Sequence, residues 1–218
     1  MFGTLRNLYL NSFLYDKKIS KSFNGSFEYK PSTYLLSSIV KIKTKKINID
    51  EFVLETVWSN ENLKKKQFKK LNNFFWIFSL DLKSSNSSVQ KVIENWIEVN
   101  QKYDPKSWEF DTTSKRIISW LSNSKLTYDE SSDQYKNNFN LIVQKQTFHL
   151  LNQIKNVNDY NDKLIGISAI ILFSLSYTKQ QKLLLISLDY LIVFTIKFPT
   201  LIFNFNKYSF IILSFHYF

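Results

Sequence analysis

Apolar residues return every three or four positions through the middle of this chain, a spacing that predicts helices. Val89, Val92, Ile93, Trp96 and Ile97 share one face of a run that Ser87 can cap, with Gln90 three residues on completing a capping box. Asp104-Pro105 disfavours helical geometry at Asp104 and ends that run. A second helix then carries Ile117, Ile118, Trp120 and Leu121, capped by Asp111, Thr112 or Thr113. Upstream, Leu63, Phe68, Leu71, Phe74, Phe75 and Phe78 predict a helix between Asn60 and Leu82, with Lys64, Lys65, Lys66, Lys69 and Lys70 on its outer, N-terminal part. Its aromatic end around Trp76 reads as core, or alternatively as a platform on which sugar rings or bases stack.

Further along, Ser131 with Gln134 makes another capping box, opening a helix to about Ile154. Tyr135, Phe139, Ile142, Val143, Phe148, Leu150 and Ile154 supply its apolar side, and His149 borders it as a hydrogen-bonded packing residue rather than a catalyst. Leu164 to Tyr177 is almost uncharged, with Gly166, Ser168 and Ala169 permitting close helix contact. It is too short to cross a bilayer and fits a buried helix.

The two ends read differently. Residues 1–50 look extended: Asn24-Gly25 suggests a tight turn, and Ile39, Val40, Ile42, Ile47 and Ile49 alternate in part with lysines, as on a solvated strand edge. Between Leu183 and Phe218 only Asp189, Lys197 and Lys207 are charged. Leu183 to Phe203 has the length of a membrane span, but Asp189, Lys197 and Pro199 make it a poor one. Asn204 to Phe218 is aromatic and β-branched without clear periodicity, and reading out of register after about Lys182 would produce such a tail. The expected organisation is an extended arm over 1–50, a helical domain over 51–182 and an atypical apolar tail over 183–218.

Composition narrows the chemistry. With 218 residues the chain can bury one sizeable core, and without cysteine it has neither disulfides nor thiolate metal sites. The net charge of +11 invites an anionic partner. Yet 27 of the 29 basic residues are lysine, which lacks the fork for bidentate phosphate or base recognition, and AT-rich coding bias accounts for the excess. No specific nucleic-acid motif is present. Met1 to Ser20 does not read as a secretory signal, so the cytoplasm is the default compartment.

Catalytic spacings are missing. The two histidines, His149 and His216, are far apart, and Gly3, Gly25 and Gly166 stand singly, so neither a His-Glu-x-x-His metal site nor a phosphate loop can form. Asp104, Glu109 and Asp111 surround a proline turn and a helix start, where carboxylates complement the dipole. No catalytic residue, metal ligand or cofactor is assigned.

The succession Leu71, Phe74, Phe75, then Trp96-Ile97, then Trp108, then Arg116-Ile117 and Trp120 resembles the N-terminal helical region of heparinase II/III-like polysaccharide lyases. Ser119 stands where that family often has asparagine, and the likeness runs from about Gly25 to Tyr177. The resemblance implies an all-α fold of antiparallel helical hairpins in an incomplete α/α toroid, here with a small extended N-terminal arm. It also implies β-elimination at a uronic acid, with an asparagine neutralising the uronate while tyrosine and histidine move protons. The family's catalytic segments are not recognisable in this chain, so the expectation is an amino-terminal part that is inactive alone. Arg116 and Trp120, at i and i+4, can pair by cation–π contact or face sugar carboxylates and rings in the toroid groove, with Trp108 and Trp76 as further sugar contacts. The implied partner is an acidic polysaccharide. Two other readings are a basic, non-catalytic module that binds acidic polysaccharide or nucleic acid, and a membrane-associated protein with paired apolar segments.

Overall fold

A computed structural model of the chain describes residues 2–20, 25–30, 64–80 and 86–197. Among the described residues it is all-α, with no strand. The helices are α1 (Phe2–Leu10), α2 (Phe13–Ile19), α3 (Lys65–Asn72), α4 (Asn86–Val99), α5 (Phe110–Ser122), α6 (Ser124–Thr127), α7 (Asp133–Gln153), α8 (Tyr160–Ser176) and α9 (Gln181–Lys197), with 3-10 turns at Phe75–Ser79 and Ile154–Asn156. An isolated antiparallel bridge joins Phe27 to Tyr177.

Helix α8 is the centre of the packing and lies against both α5 and α9. Its sequence is apolar nearly all round, the signature of a helix with no water face. Leu164, Ile167, Ile170, Ile171, Leu172 and Phe173 are all buried, and each such side chain contributes about 1.5–3 kcal/mol of transfer free energy. Two buried hydroxyls of this helix bond back one turn, Ser168 Oγ to the Leu164 carbonyl and Ser174 Oγ to that of Ile170, and so sit in the core without stranded donors. Gly166 allows Phe110 to lie directly on α8, because a Cβ there would overlap the phenyl ring.

Several expectations are corrected. Residues 2–19 are not extended: α1 and α2 form there, with Ser12 capping α2 by accepting from the Tyr15 amide at 3.2 Å. Among the described residues of this arm, the short piece around Phe27 makes the strand-like contact, with the end of α8. Asn24 and the Ile39–Ile49 alternation lie outside the described residues.

The helix expected from Asn60 to Leu82 breaks after Asn72. Phe74 takes a left-handed conformation (φ 57°, ψ 12°), and the chain re-enters a 3-10 turn. A bulky residue held there costs about 1–3 kcal/mol. Phe74 is fully buried and its carbonyl accepts from Ser119 Oγ at 2.6 Å, which holds the kink in place.

Capping differs too. Ser132 rather than Ser131 caps α7, by accepting from the Tyr135 amide, and Ser131 Oγ donates instead to the Tyr128 carbonyl. Ser87 lies inside α4, whose Gln90 donates to the Asp129 carbonyl of the α6–α7 connection. No side chain caps α5: Glu109 occupies the cap position, while Asp111 accepts from Lys115 within the first turn. Residues 183–197 of the expected apolar tail belong to α9, which buries Leu183, Ser187 and Phe194. Asn204–Phe218 lies outside the described residues.

Candidate functional site

Arg116 is the residue through which the helical elements meet. It lies on the buried face of α5 and is wholly enclosed. Nη1 donates to the carbonyls of Asn72, at the end of α3, and Ser107, in the α4–α5 turn, at 2.8 and 3.0 Å. Nε donates to Gln146 Oε1 on α7 at 3.1 Å, and Nη2 to Thr113 Oγ1 at 3.2 Å. The guanidinium carbon stands 4.0 Å from the centroid of the Trp96 ring on α4. All four acceptors are neutral, and no carboxylate pairs with this arginine among the described residues. Burial pushes its pKa well down from the ordinary value, so the fork of neutral oxygens and the indole face are what accommodate the charge.

The other sequence candidates gather around this point. Trp96 packs edge-to-face on Trp120 with centroids 5.5 Å apart, and Phe74 lies 5.1 Å from Trp120. The Trp96 indole N–H donates to Asn72 Oδ1 at 2.8 Å, so Asn72 binds both Trp96 and Arg116. Trp108 is placed by the proline turn: Asp104 Oδ2 accepts the amides of Lys106 and Ser107, the Asp104 carbonyl accepts that of Trp108, and the Trp108 indole donates to the Asn100 carbonyl. Arg116, Trp108 and Trp120 are buried to within 1%. None of the three presents a face on which a sugar could lie. Trp76 is half-buried, with its indole N–H on the Leu71 carbonyl.

The cation–π contact expected between Arg116 and Trp120 is made with Trp96 instead. Trp120 turns toward Phe74 and Phe139. Its indole N–H has no hydrogen-bond partner among the described residues.

A second polar cluster has no signal in the sequence. Tyr15, on α2, places its hydroxyl 2.7 Å from His149 Nδ1 on α7. Gln153 Nε2 reaches the same hydroxyl, and Arg6 donates to Gln153 Oε1. Tyr103 and Trp108 pack on the His149 ring. Burial pulls the His149 pKa down to about 3, against the opposing hydrogen bond with the Trp108 backbone, and burial pushes Tyr15 up to about 12. Both groups are held neutral and shielded, which suits packing and opposes proton transfer to a substrate.

Outside the core, Lys64, Lys65, Lys66 and Lys70 are exposed along α3, while Lys69 turns inward to Glu109 at 2.7 Å and Asp111 at 3.6 Å. A shallow polar cleft of about 280 Å³ lies between α4 and the start of α7, lined by Gln90, Lys91, Glu94, Asn95, Ser132 and Tyr135 among others. Among the described residues no group of His, Asp or Glu is arranged to hold a metal, and no helix is long and apolar enough to cross a membrane. No protein family, no curated protein and no solved structure matches this chain.

Proposed function

We propose that this chain is the amino-terminal helical region of a heparinase II/III-like polysaccharide lyase, serving as a scaffold and performing no elimination by itself. One observation carries the reading. Of the residues that carry the resemblance, Phe74, Trp96, Arg116 and Trp120, from three sequence segments, come together in one buried cluster, and Trp108, from a fourth, is buried beside Ser107, whose carbonyl Arg116 binds. Agreement in the order and spacing of residues that pack on one another points to a shared packing solution, and the arrangement of these helices as part of an α/α toroid belongs to the same proposal. Catalysis would need a proton acceptor open to the polymer. His149, the one described histidine, is sealed against Tyr15 with its basicity suppressed.

Incubation with heparan-like and alginate-like polymers tests the inactivity through the absorbance of unsaturated uronate ends. The expected result is no product. Turnover by the chain alone overturns it. The kinship is tested separately by reading the DNA past the Lys182 codon in all frames. A frame encoding lyase segments with tyrosine and histidine supports it, and the lack of one in every frame removes it.

The exposed lysines of α3 favour a second reading, retention of an acidic polysaccharide without cleavage. It predicts salt-sensitive heparin binding that disappears when Lys64, Lys65, Lys66, Lys69 and Lys70 are replaced by glutamine. Affinity retained in that variant contradicts it.

A further inference from the structure

The N-terminal helix pair has two faces of opposite character. Toward the protein it buries Leu10, Tyr15 and Ile19, ties Asp16 to Lys145 Nζ at 2.7 Å and bonds Arg6 to Gln153. Away from it, Leu5, Leu8, Phe13 and Leu14 are 61–77% exposed, among the most exposed large apolar residues described. On α2, a rotation of about 100° per residue sets Phe13, Leu14, Lys17 and Lys18 on the arc opposite Tyr15 and Ile19. Both lysines are exposed. The single acid of α2, Asp16, is occupied by Lys145. The outward face is therefore apolar and positive, with no exposed acid on α1 or α2.

We propose that α1 and α2 form a contact surface for an anionic lipid bilayer. Apolar side chains on a short helix pair dip into the boundary between headgroups and acyl chains, while lysine stems reach up to the phosphates. The charge decides between occupants. A second copy of the same patch would bring Lys17 and Lys18 against like charges, and a soluble acidic polymer would leave four large apolar side chains in water. An anionic membrane surface satisfies both halves of the patch at once. This contact is peripheral, and it is independent of the polysaccharide reading.

The test is flotation of the full chain with vesicles of phosphatidylcholine, alone or mixed with phosphatidylglycerol. Preferential binding to the mixed vesicles is expected. Phe13→Ser with Leu14→Ser abolishes it, with thermal stability unchanged because both side chains point outward. Lys17→Gln with Lys18→Gln weakens it by roughly 30-fold, taking about 1 kcal/mol per lysine near an anionic surface. The proposal is overturned by any of three results: no vesicle binding, binding that both double variants leave intact, or a patch whose only measured consequence is self-association that Phe13→Ser with Leu14→Ser abolishes.

Discussion

The Arg116 guanidinium stands 4.0 Å over the Trp96 ring, and Asn72 binds both residues, one through its carbonyl and the other through its side-chain oxygen. Three elements, α3, α4 and α5, are thereby fixed to one another by a single positive charge to which no described residue supplies a counter-ion. A lysine could fill the space but could not serve four acceptors from one planar group. Arg116→Lys is expected to destabilise the fold by about 3–5 kcal/mol, since buried charge-assisted hydrogen bonds are lost and their acceptors stranded. Urea denaturation checks this: the midpoint falls while the slope is kept. A midpoint within error of the parent would show that the fork is not holding these elements.

Trp96 and Trp120, packed edge-to-face, should respond differently to the same change. Trp96→Phe removes the donor to Asn72 Oδ1 and weakens the face under Arg116, at a cost of about 1–3 kcal/mol for the stranded acceptor. Trp120→Phe also loses ring volume, but it deletes an indole N–H that has no partner among the described residues. The smaller loss of stability is expected for Trp120→Phe. Thermal melts of the two variants decide the order, and the reverse order contradicts the assignment.

Stability should depend on pH through His149. Burial holds its folded pKa at about 3, below the ordinary 6.5. The unfolded chain therefore takes up the proton first as pH falls, so the contribution of neutral His149 is complete above about 6.5 and is lost progressively from there down toward about 3. The loss across that window is of the order of a few kcal/mol. Protonation would also make Nδ1 a donor to the Tyr15 hydroxyl, so that the Tyr15 O–H loses its acceptor and the tie to α2 loosens. Denaturation midpoints from pH 4 to pH 8, compared with His149→Phe, check this. The slope should flatten in the variant, and an unchanged slope assigns it to other groups.

Helices α4, α5 and α7 were legible because apolar residues recur along one side of each, and α8 because its run is almost uncharged; α6, only four residues long, and α9, whose residues from Leu183 on read as an apolar tail, were not. Val89, Val92, Ile93, Trp96 and Ile97 are all buried, as their spacing demanded. His149 was legible as a packing residue for the same reason, although its partner was not. Tyr15 belongs to a helix of seven residues that mixes three charges into its apolar side, too short for a period to show. The kink at Phe74 was invisible because nothing in an aromatic run marks a left-handed residue, and its stability comes from Ser119, 45 positions away. The i, i+4 relation pointed Arg116 at Trp120, but a neighbour on another helix provided the face. The spacing to Gln134 pointed to Ser131 as the cap of α7, but its neighbour Ser132 is the residue that accepts from the Tyr135 amide.

That the tryptophan–arginine cluster is scaffold and not a sugar-binding surface is tested most directly by following the indole N–H resonances during titration with a heparin oligosaccharide. The resonances of Trp96, Trp108 and Trp120 should stay in place, even if backbone signals of Lys64, Lys65, Lys66 and Lys70 move. Saturable shifts of the Trp108 and Trp120 indoles on ligand addition would place the polymer in the cluster and contradict the account.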